Sequence, residues 1–329
     1  MSSKTPPKYI LGTFSVGDPH TFPGIGIVHF HTEEDVKGLV DAFYNRGYRD
    51  IDTARNYGES EARLGKAGVT SLFTVHTKVR SGPPGAHEPA KIKASIEESL
   101  DALQSSKVET MFLHTPDRQT PFEDTLKAMN DAFKQGKFEK LGISNYSVAE
   151  VQKILDICEQ NGYIKPSVYQ GQYNAMVRGG EKKLFPLLRK NGIAFFGFSL
   201  LLTSNTSPAL GGLLSGHVST SRRWQEDTIV GKMYVPFYSH SSVQASAASI
   251  RATAQKYDIS GHAAALRWTA FHSVLDGECG DGLIFGVSKV EHLHESLDAL
   301  EAGPLPVELA EAISAIYDTV AGNGPPFHI

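Results

Sequence analysis

Four side chains that together can protonate a carbonyl oxygen follow three successive strand-like segments. Asp52 ends "RDID" and Tyr57 lies in the loop after it, while Lys78 ends the core of "LFTVHTKV" and His114 lies in "TMFLHT". A phenol is a weak acid, with an ordinary pKa of about 10. A lysine ammonium nearby is expected to lower that pKa, an aspartate to hold the lysine, and a histidine to orient the substrate oxygen.

Each of these residues also has a simpler interpretation. Asp52 could cap a helix, Tyr57 could be an exposed aromatic, Lys78 a solvated charge and His114 a core histidine. The chemical interpretation is favoured because all four fall at the same end of adjacent strands. The set lacks an electron source, and no spacing typical of metal ligands occurs, so no metal is expected. A nicotinamide cofactor would supply the missing hydride.

The elements that must position these groups alternate along the chain. Eight short β-rich runs are each followed by an amphipathic helical stretch, which predicts parallel strands joined by right-handed crossovers. Over 329 residues this pattern predicts an α/β fold, a (β/α)8 TIM barrel formed as a single domain over 1–329. Extra helices are expected before strand eight and at the C-terminus, with a long loop after strand seven. A doubly wound sheet stays open, although no G-x-G-x-x-G follows a strand.

Helix boundaries support this division of the chain. Gly47, Gly136, Gly162 and Gly192 each end a helical pattern, where a left-handed residue is expected. Thr32 and Asp35 resemble a capping box.

Composition narrows the class of protein. A net charge of −4 and 40% hydrophobic residues are typical of a soluble globular protein and give no reason to expect nucleic-acid binding. The longest nearly apolar run, "IAFFGFSLLL", is too short to cross a bilayer. Two cysteines and a start without an apolar secretion signal favour a cytoplasmic location. A homodimer stays open.

Five motifs together resemble those of the aldo-keto reductase superfamily, in the same order: "DTARNYGESE", "TKV", "LHTPD", "LGISNYS" and "VYQGQYN". Longer stretches, among them "GKFEKLGISNYSVAEV" and "HLHESLDALEAGPL", are similar to the aflatoxin-aldehyde reductase branch. The resemblance covers about residues 9–306. It implies NADPH-dependent reduction of aldehydes and ketones, with a small-molecule carbonyl substrate, Tyr57 as the general acid, Lys78 and Asp52 as its tuning pair, and His114 orienting the carbonyl.

The resemblance also implies a set of cofactor-binding residues. Ser144, Asn145 and Gln170 resemble residues that hydrogen-bond the nicotinamide carboxamide, and Phe198 stands where a tyrosine usually stacks on the nicotinamide. The remaining implied contacts lie near the cofactor phosphates and adenosine: Ser199, Gly212, Lys232, Ser288, Lys289, His292, Glu295 and Ser296.

The chain departs from the family pattern in two places. About eight residues, roughly 201–208, look inserted after strand seven, and His217 replaces a lysine of the phosphate loop; a lineage feature and a sequence-assembly artefact both stay open. In the adenosine-binding segment, His292 stands where arginine or glutamine is common, and Ser296 stands where asparagine is common. Lys289 can still pair with a 2′-phosphate, so NADPH is favoured over NADH.

Substrate preference and two alternative functions depend on weaker signals. Arg222 and Arg223 could bind a carboxylate on the substrate, or could be an ordinary charged loop. One alternative is a cofactor-binding regulatory subunit resembling the potassium-channel β-subunits, with little turnover. The other is an aldolase that forms a Schiff base with Lys78.

Overall fold

The strands close into a barrel. A computed structural model of the chain describes residues 4–21, 27–198, 239–320 and 327–328. The strands are β1 Lys8–Gly12, β2 Asp50–Asp52, β3 Thr74–Lys78, β4 Val108–Leu113, β5 Phe138–Ser144, β6 Val168–Gln172, β7 Ala194–Phe198 and β8 Gly282–Phe285. Each strand pairs in parallel with its sequence neighbours, and β8 pairs with β1. The (β/α)8 prediction is therefore confirmed.

Helices surround the barrel. They are α1 Glu33–Asn45, α2 Ser60–Lys66, α3 Pro89–Ala102, α4 Phe122–Lys134, α5 Val148–Asn161, α6 Leu184–Lys190, α7 Ser241–Gln255, α8 Gly261–Arg267, α9 Val290–Glu301 and α10 Val307–Val320. A single π-helical segment, Trp268–His272, continues α8. The two expected extra helices are found, since α8 lies before β8 and α10 follows α9. The predicted long loop after β7 falls on residues 199–238, outside the described part.

The helix-end signals read from the sequence are present. The Thr32 hydroxyl accepts from the Asp35 backbone N–H, and the Asp35 carboxylate accepts from the Thr32 N–H, which completes the predicted capping box of α1. The four glycines expected to end helices all have positive φ, with 90° at Gly47, 72° at Gly136, 63° at Gly162 and 65° at Gly192. These signals fix where each helix ends and hence where the next strand begins.

Side chains fill the interior of the barrel below its C-terminal end. Ile10, Phe112, Val168, Phe196 and Ile284 form one buried cluster inside the ring of strands. The larger core lies between the strands and the helices. Because this cluster fills the interior, a barrel of this kind binds its ligand at the C-terminal end of the strands.

The described residues contain no membrane-spanning helix, no potential metal site and no disulfide. No helix among them is long and apolar enough to cross a bilayer. Within the same residues, no group of three or more histidine, cysteine or carboxylate side chains could hold a metal ion. Cys158 is buried and Cys279 exposed, and both are free thiols.

Candidate active site

A cavity of about 160 Å³ opens at the C-terminal ends of the strands. Seven of the residues singled out from the sequence line it, together with residues that follow β1 and β4. The lining residues are Gly12, Thr13, Phe14, Asp52, Tyr57, His114, Thr115, Ser144, Asn145, Gln170, Phe198 and Ile284. Loops and strand ends far apart in sequence thus meet in one space, as the barrel geometry predicts.

Asp52 and Lys78 form a buried ion pair. The Lys78 Nζ donates to Asp52 Oδ1 at 2.8 Å, to Asp52 Oδ2 at 2.6 Å and to the Thr53 carbonyl at 2.8 Å. All three ammonium protons are therefore used. The Lys78 side chain has no exposed surface and does not line the cavity. Burial lowers the pKa of Lys78, while the charges of Asp52 and Glu61 act in the opposite direction.

Tyr57 is half-buried in the loop between β2 and α2, and its hydroxyl makes no hydrogen bond with any described residue. Its ring lies 4.7 Å from the Phe14 ring and 5.7 Å from the His114 ring, centroid to centroid. The Lys78 Nζ lies 5.2 Å from the Tyr57 ring centroid. Burial and the charge of Asp52 raise the pKa of Tyr57 well above its ordinary value. Burial, with the charge of Asp52, thus acts on the Tyr57 pKa in the direction opposite to the lowering expected from Lys78.

His114 lies directly after β4 and is uncharged. Burial, with the charges of Lys78 and His87, lowers the pKa of His114 to about 3. Its Nδ1 is buried and has no hydrogen-bond partner among the described residues. The ring is thus a neutral imidazole that can orient an oxygen without carrying charge.

Ser144 and Asn145 place two polar groups at the end of β5. Asn145 adopts a left-handed backbone with φ of 68°, a conformation that asparagine tolerates better than most residues. Its Nδ2 donates to the His114 carbonyl at 3.0 Å and to Ser144 Oγ at 3.0 Å. Asn145 therefore connects the end of β5 to the loop that carries His114.

Gln170 and Phe198 complete the cavity from β6 and β7. The Gln170 Nε2 donates to Asp52 Oδ1 at 2.8 Å, a contact that the sequence did not predict. Phe198 is half-buried at the end of β7 and exposes part of its ring to the cavity.

The segment implied to hold the adenosine end lies at the start of α9. Ser288 Oγ and His292 Nδ1 are 3.0 Å apart, and Lys289 and Glu295 are exposed. Ser296 is 1% exposed, and its hydroxyl already donates to the His292 carbonyl and lies 2.9 Å from His262 Nε2. The Ser296 side chain is thus engaged within the protein, whereas Lys289 is open to a ligand.

Several predicted site residues lie outside the described part of the chain. They are Ser199, Gly212, Lys232, Arg222 and Arg223, together with the 201–208 segment and His217.

Two groups of polar residues that support the site were missed in the sequence. Arg55 and Glu61 pair behind Lys78, within the "DTARNYGESE" motif itself. Asp117, the acid of "LHTPD", accepts from the His87 backbone N–H at 3.0 Å and from the Thr120 hydroxyl at 2.6 Å. Asp117 thereby holds the loop after β4 against the loop after β3. Their position inside the quoted motifs was the available signal.

Comparison with known proteins agrees with this geometry. The sequence profile of the Aldo/keto reductase family matches residues 8–318, and the chain belongs to this family of oxidoreductases. It is 36% identical over 304 residues to an aldo-keto reductase of Pseudocercospora fijiensis, covering 88% of this chain and 99% of that protein. It is 33% identical over 347 residues to aflatoxin B1 aldehyde reductase member 2 of Homo sapiens, covering 99% and 91%. The oxidoreductase sirO of Leptosphaeria maculans is 33% identical over 327 residues, covering 98% and 97%.

Proposed function

We propose that this chain reduces aldehydes and ketones to alcohols with NADPH, using Tyr57 as the proton donor. The observation that carries the proposal is the state of the Tyr57 hydroxyl. It faces the cavity without a hydrogen-bond partner among the described residues, and its raised pKa keeps it protonated at neutral pH. An acid that must donate a proton has to hold that proton beforehand.

Lys78 acts on the product of proton transfer in this proposal. Once Tyr57 has given up its proton, the phenolate lies beside an ammonium whose position is fixed by three hydrogen bonds. A preorganised charge of this kind stabilises a developing anion without having to reorganise. Asp52 holds the ammonium in place, so the tuning pair acts chiefly on the phenolate rather than on the resting phenol.

His114 orients the substrate. A neutral imidazole beside the Tyr57 ring can donate one hydrogen bond to the carbonyl oxygen, which sets that oxygen next to the phenol. Because the pKa of His114 is about 3, this role does not change across the neutral range.

The residues around the cavity fit a nicotinamide. Ser144 offers a hydroxyl, Asn145 and Gln170 each offer an amide oxygen free of described partners, and Phe198 offers a flat ring. A carboxamide needs donors and acceptors of this kind, and a planar ring stacks on an aromatic side chain. When bound there, the reduced cofactor supplies the hydride. Exposed Lys289 supports a preference for NADPH through its charge near a 2′-phosphate.

The substrate proposal is a small aldehyde or ketone. Most of the surface exposed in the cavity is apolar, and the human relative is named aflatoxin B1 aldehyde reductase member 2. A cytoplasmic location is proposed from the two unpaired cysteines.

The aldolase alternative is not favoured by the site. A Schiff base needs an accessible amine, whereas the Lys78 ammonium is fully buried and paired. A regulatory subunit with the same cavity would bind NADPH but show negligible turnover.

One experiment separates these functions. The purified protein is titrated with NADPH and with NADH by cofactor fluorescence, and NADPH oxidation is then followed with a series of aldehydes. Tyr57→Phe should bind NADPH as the wild type does and lose turnover by about a hundred-fold or more. Tyr48→Phe is the matched control, since Tyr48 bonds Glu301 away from the cavity. Near-normal turnover in Tyr57→Phe would overturn the proposal, and tight binding without turnover in the wild type would favour the regulatory subunit.

A further inference from the structure

Gln170 reaches across the barrel to Asp52. In a closed ring of eight strands taken in order, β2 and β6 lie on opposite sides. The Gln170 amide nevertheless donates to Asp52 Oδ1 at 2.8 Å, and both side chains are 2% exposed. A carboxylate only accepts hydrogen bonds, so the amide nitrogen is the atom that faces Asp52.

This hydrogen bond completes the surroundings of the Asp52 carboxylate. Oδ1 accepts from Lys78 and from Gln170, and Oδ2 accepts from Lys78. The ammonium and the amide approach from β3 and β6, so the carboxylate is held from two directions. Without the amide, the Asp52 carboxylate would be bonded by the Lys78 ammonium alone.

The other half of the Gln170 amide is free. Its Oε1 makes no hydrogen bond with any described residue, and Gln170 lines the cavity. One side chain therefore has its donor engaged by the ion pair and its acceptor open to a ligand.

We propose that Gln170 is a positioning residue for proton transfer, because its hydrogen bond fixes the Asp52–Lys78 pair next to Tyr57. The proposal rests on the reductase function proposed above and adds to a role in holding the nicotinamide carboxamide. A ligand that bonds the Oε1 atom orients the same amide that holds Asp52.

The substitution Gln170→Glu gives the contact a pH-dependent signature. The ionisable groups facing this position are Asp52, Lys78, Tyr57 and His114, with Glu61 behind Lys78. The introduced carboxyl can donate to Asp52 when it is protonated, as the glutamine does, whereas its ionised form repels Asp52. Burial and Asp52 would hold the folded pKa of this carboxyl above its unfolded value of about 4.3. Stability should therefore fall as pH rises from that value towards the folded pKa.

The first measurement uses the cofactor-free protein and is independent of catalysis. Melting temperatures of Gln170→Glu and Gln170→Met are compared across pH, with methionine as the uncharged control of similar volume. The gap between the two should widen as pH rises. It should widen less when both are combined with Asp52→Asn, which removes the repelling charge. If the gap widens with pH by the same amount with and without Asp52→Asn, the proposed contact between residue 170 and Asp52 is overturned.

The second measurement follows kcat at saturating NADPH. Gln170→Met should lower kcat roughly ten-fold, since a hydrogen bond to a charged group is lost. At low pH, the kcat of Gln170→Glu should lie above that of Gln170→Met. This advantage should disappear as pH rises and the new carboxyl ionises. If Gln170→Met keeps the wild-type kcat and only weakens NADPH binding, Gln170 contacts the cofactor alone and the proposal is wrong. A wild-type protein without reductase activity would overturn the proposed function and this positioning role, while the melting temperatures would still report the contact.

Discussion

The guanidinium of Arg55 lies 3.1 Å from the carboxylate of Glu61, whose side chain is fully buried. Glu61 also accepts from the Thr77 hydroxyl at 2.6 Å, and the Arg55 backbone N–H donates to the Lys78 carbonyl at 3.0 Å. Residues on both sides of Tyr57 in sequence are thus attached to β3. The loop that carries Tyr57 is therefore held to β3 on both sides of that residue.

Removing the Arg55 charge should destabilise the fold. Arg55→Met would leave Glu61 buried without its cation, and we expect the free energy of unfolding in urea to fall by about 2 kcal/mol. Arg80→Met is the matched control, because Arg80 is exposed and lies 3.7 Å from Glu98, the second partner of Arg55. The control should change stability by less than about 0.5 kcal/mol. If the free energy of unfolding falls equally in the two variants, the Arg55–Glu61 pair contributes no more to stability than an exposed ion pair.

Acid should destabilise the protein through His87. Burial lowers the pKa of His87 to about 4, against about 6.5 in an unfolded chain. The unfolded state therefore binds a proton first, and the contribution is complete above about pH 6.5 and lost as pH falls through about 4. The size of the loss is about 3 kcal/mol. Unfolding of His87→Gln across pH should show a smaller acid loss, whereas His240→Gln, which changes an exposed residue, should follow the wild type. If His87→Gln loses as much stability between pH 6.5 and pH 4 as the wild type does, His87 is not the source of the acid loss.

The pH profile of turnover should show no inflection caused by titration of His114. Since the pKa of His114 is about 3, its ring stays neutral from about pH 5 to 8. His114→Gln should lower kcat/KM about a hundred-fold at every pH in this range and leave the shape of the profile unchanged. A wild-type inflection near pH 6.5 that disappears in His114→Gln would show that His114 titrates during turnover.

Asn145 allows its backbone and side-chain roles to be separated. Alanine at a left-handed φ costs roughly 1–2 kcal/mol, whereas glycine adopts that conformation readily. We therefore expect stability to fall in the order wild type, Asn145→Gly, Asn145→Ala when measured by thermal unfolding. Both variants lose the amide and should weaken NADPH binding to a similar extent. Equal stability of the two variants would argue against strain at this position.

The barrel and the ends of its strands were predictable because they depend on local pattern. Alternating apolar runs and helix-end glycines such as Gly162 are read along the chain, and the structure has the expected eight strands, with β2, β3 and β4 on the three segments named from the sequence. The meeting of Asp52 with Lys78 followed from the adjacency of their strands in such a barrel.

Other properties of the site depend on closure of the barrel and on burial of its side chains, and a local sequence pattern reports neither. The Gln170–Asp52 hydrogen bond joins residues 118 positions apart in sequence and exists only once the ring is closed. The direction of the Tyr57 pKa shift depends first on burial by the folded loops, which the sequence alone does not report.

The short strand β2 has a consequence for how this site can change over evolutionary time. Ile51 packs in the outer core, while the neighbouring Asp52 lines the cavity. Successive side chains of a strand point to opposite sides, so inserting or deleting one residue within β2 would exchange the two and abolish the ion pair. Length changes in the loops beyond the strand ends leave this alternation intact. A lineage can therefore remodel the loops around the cavity repeatedly while inheriting the same Asp52–Lys78 pair.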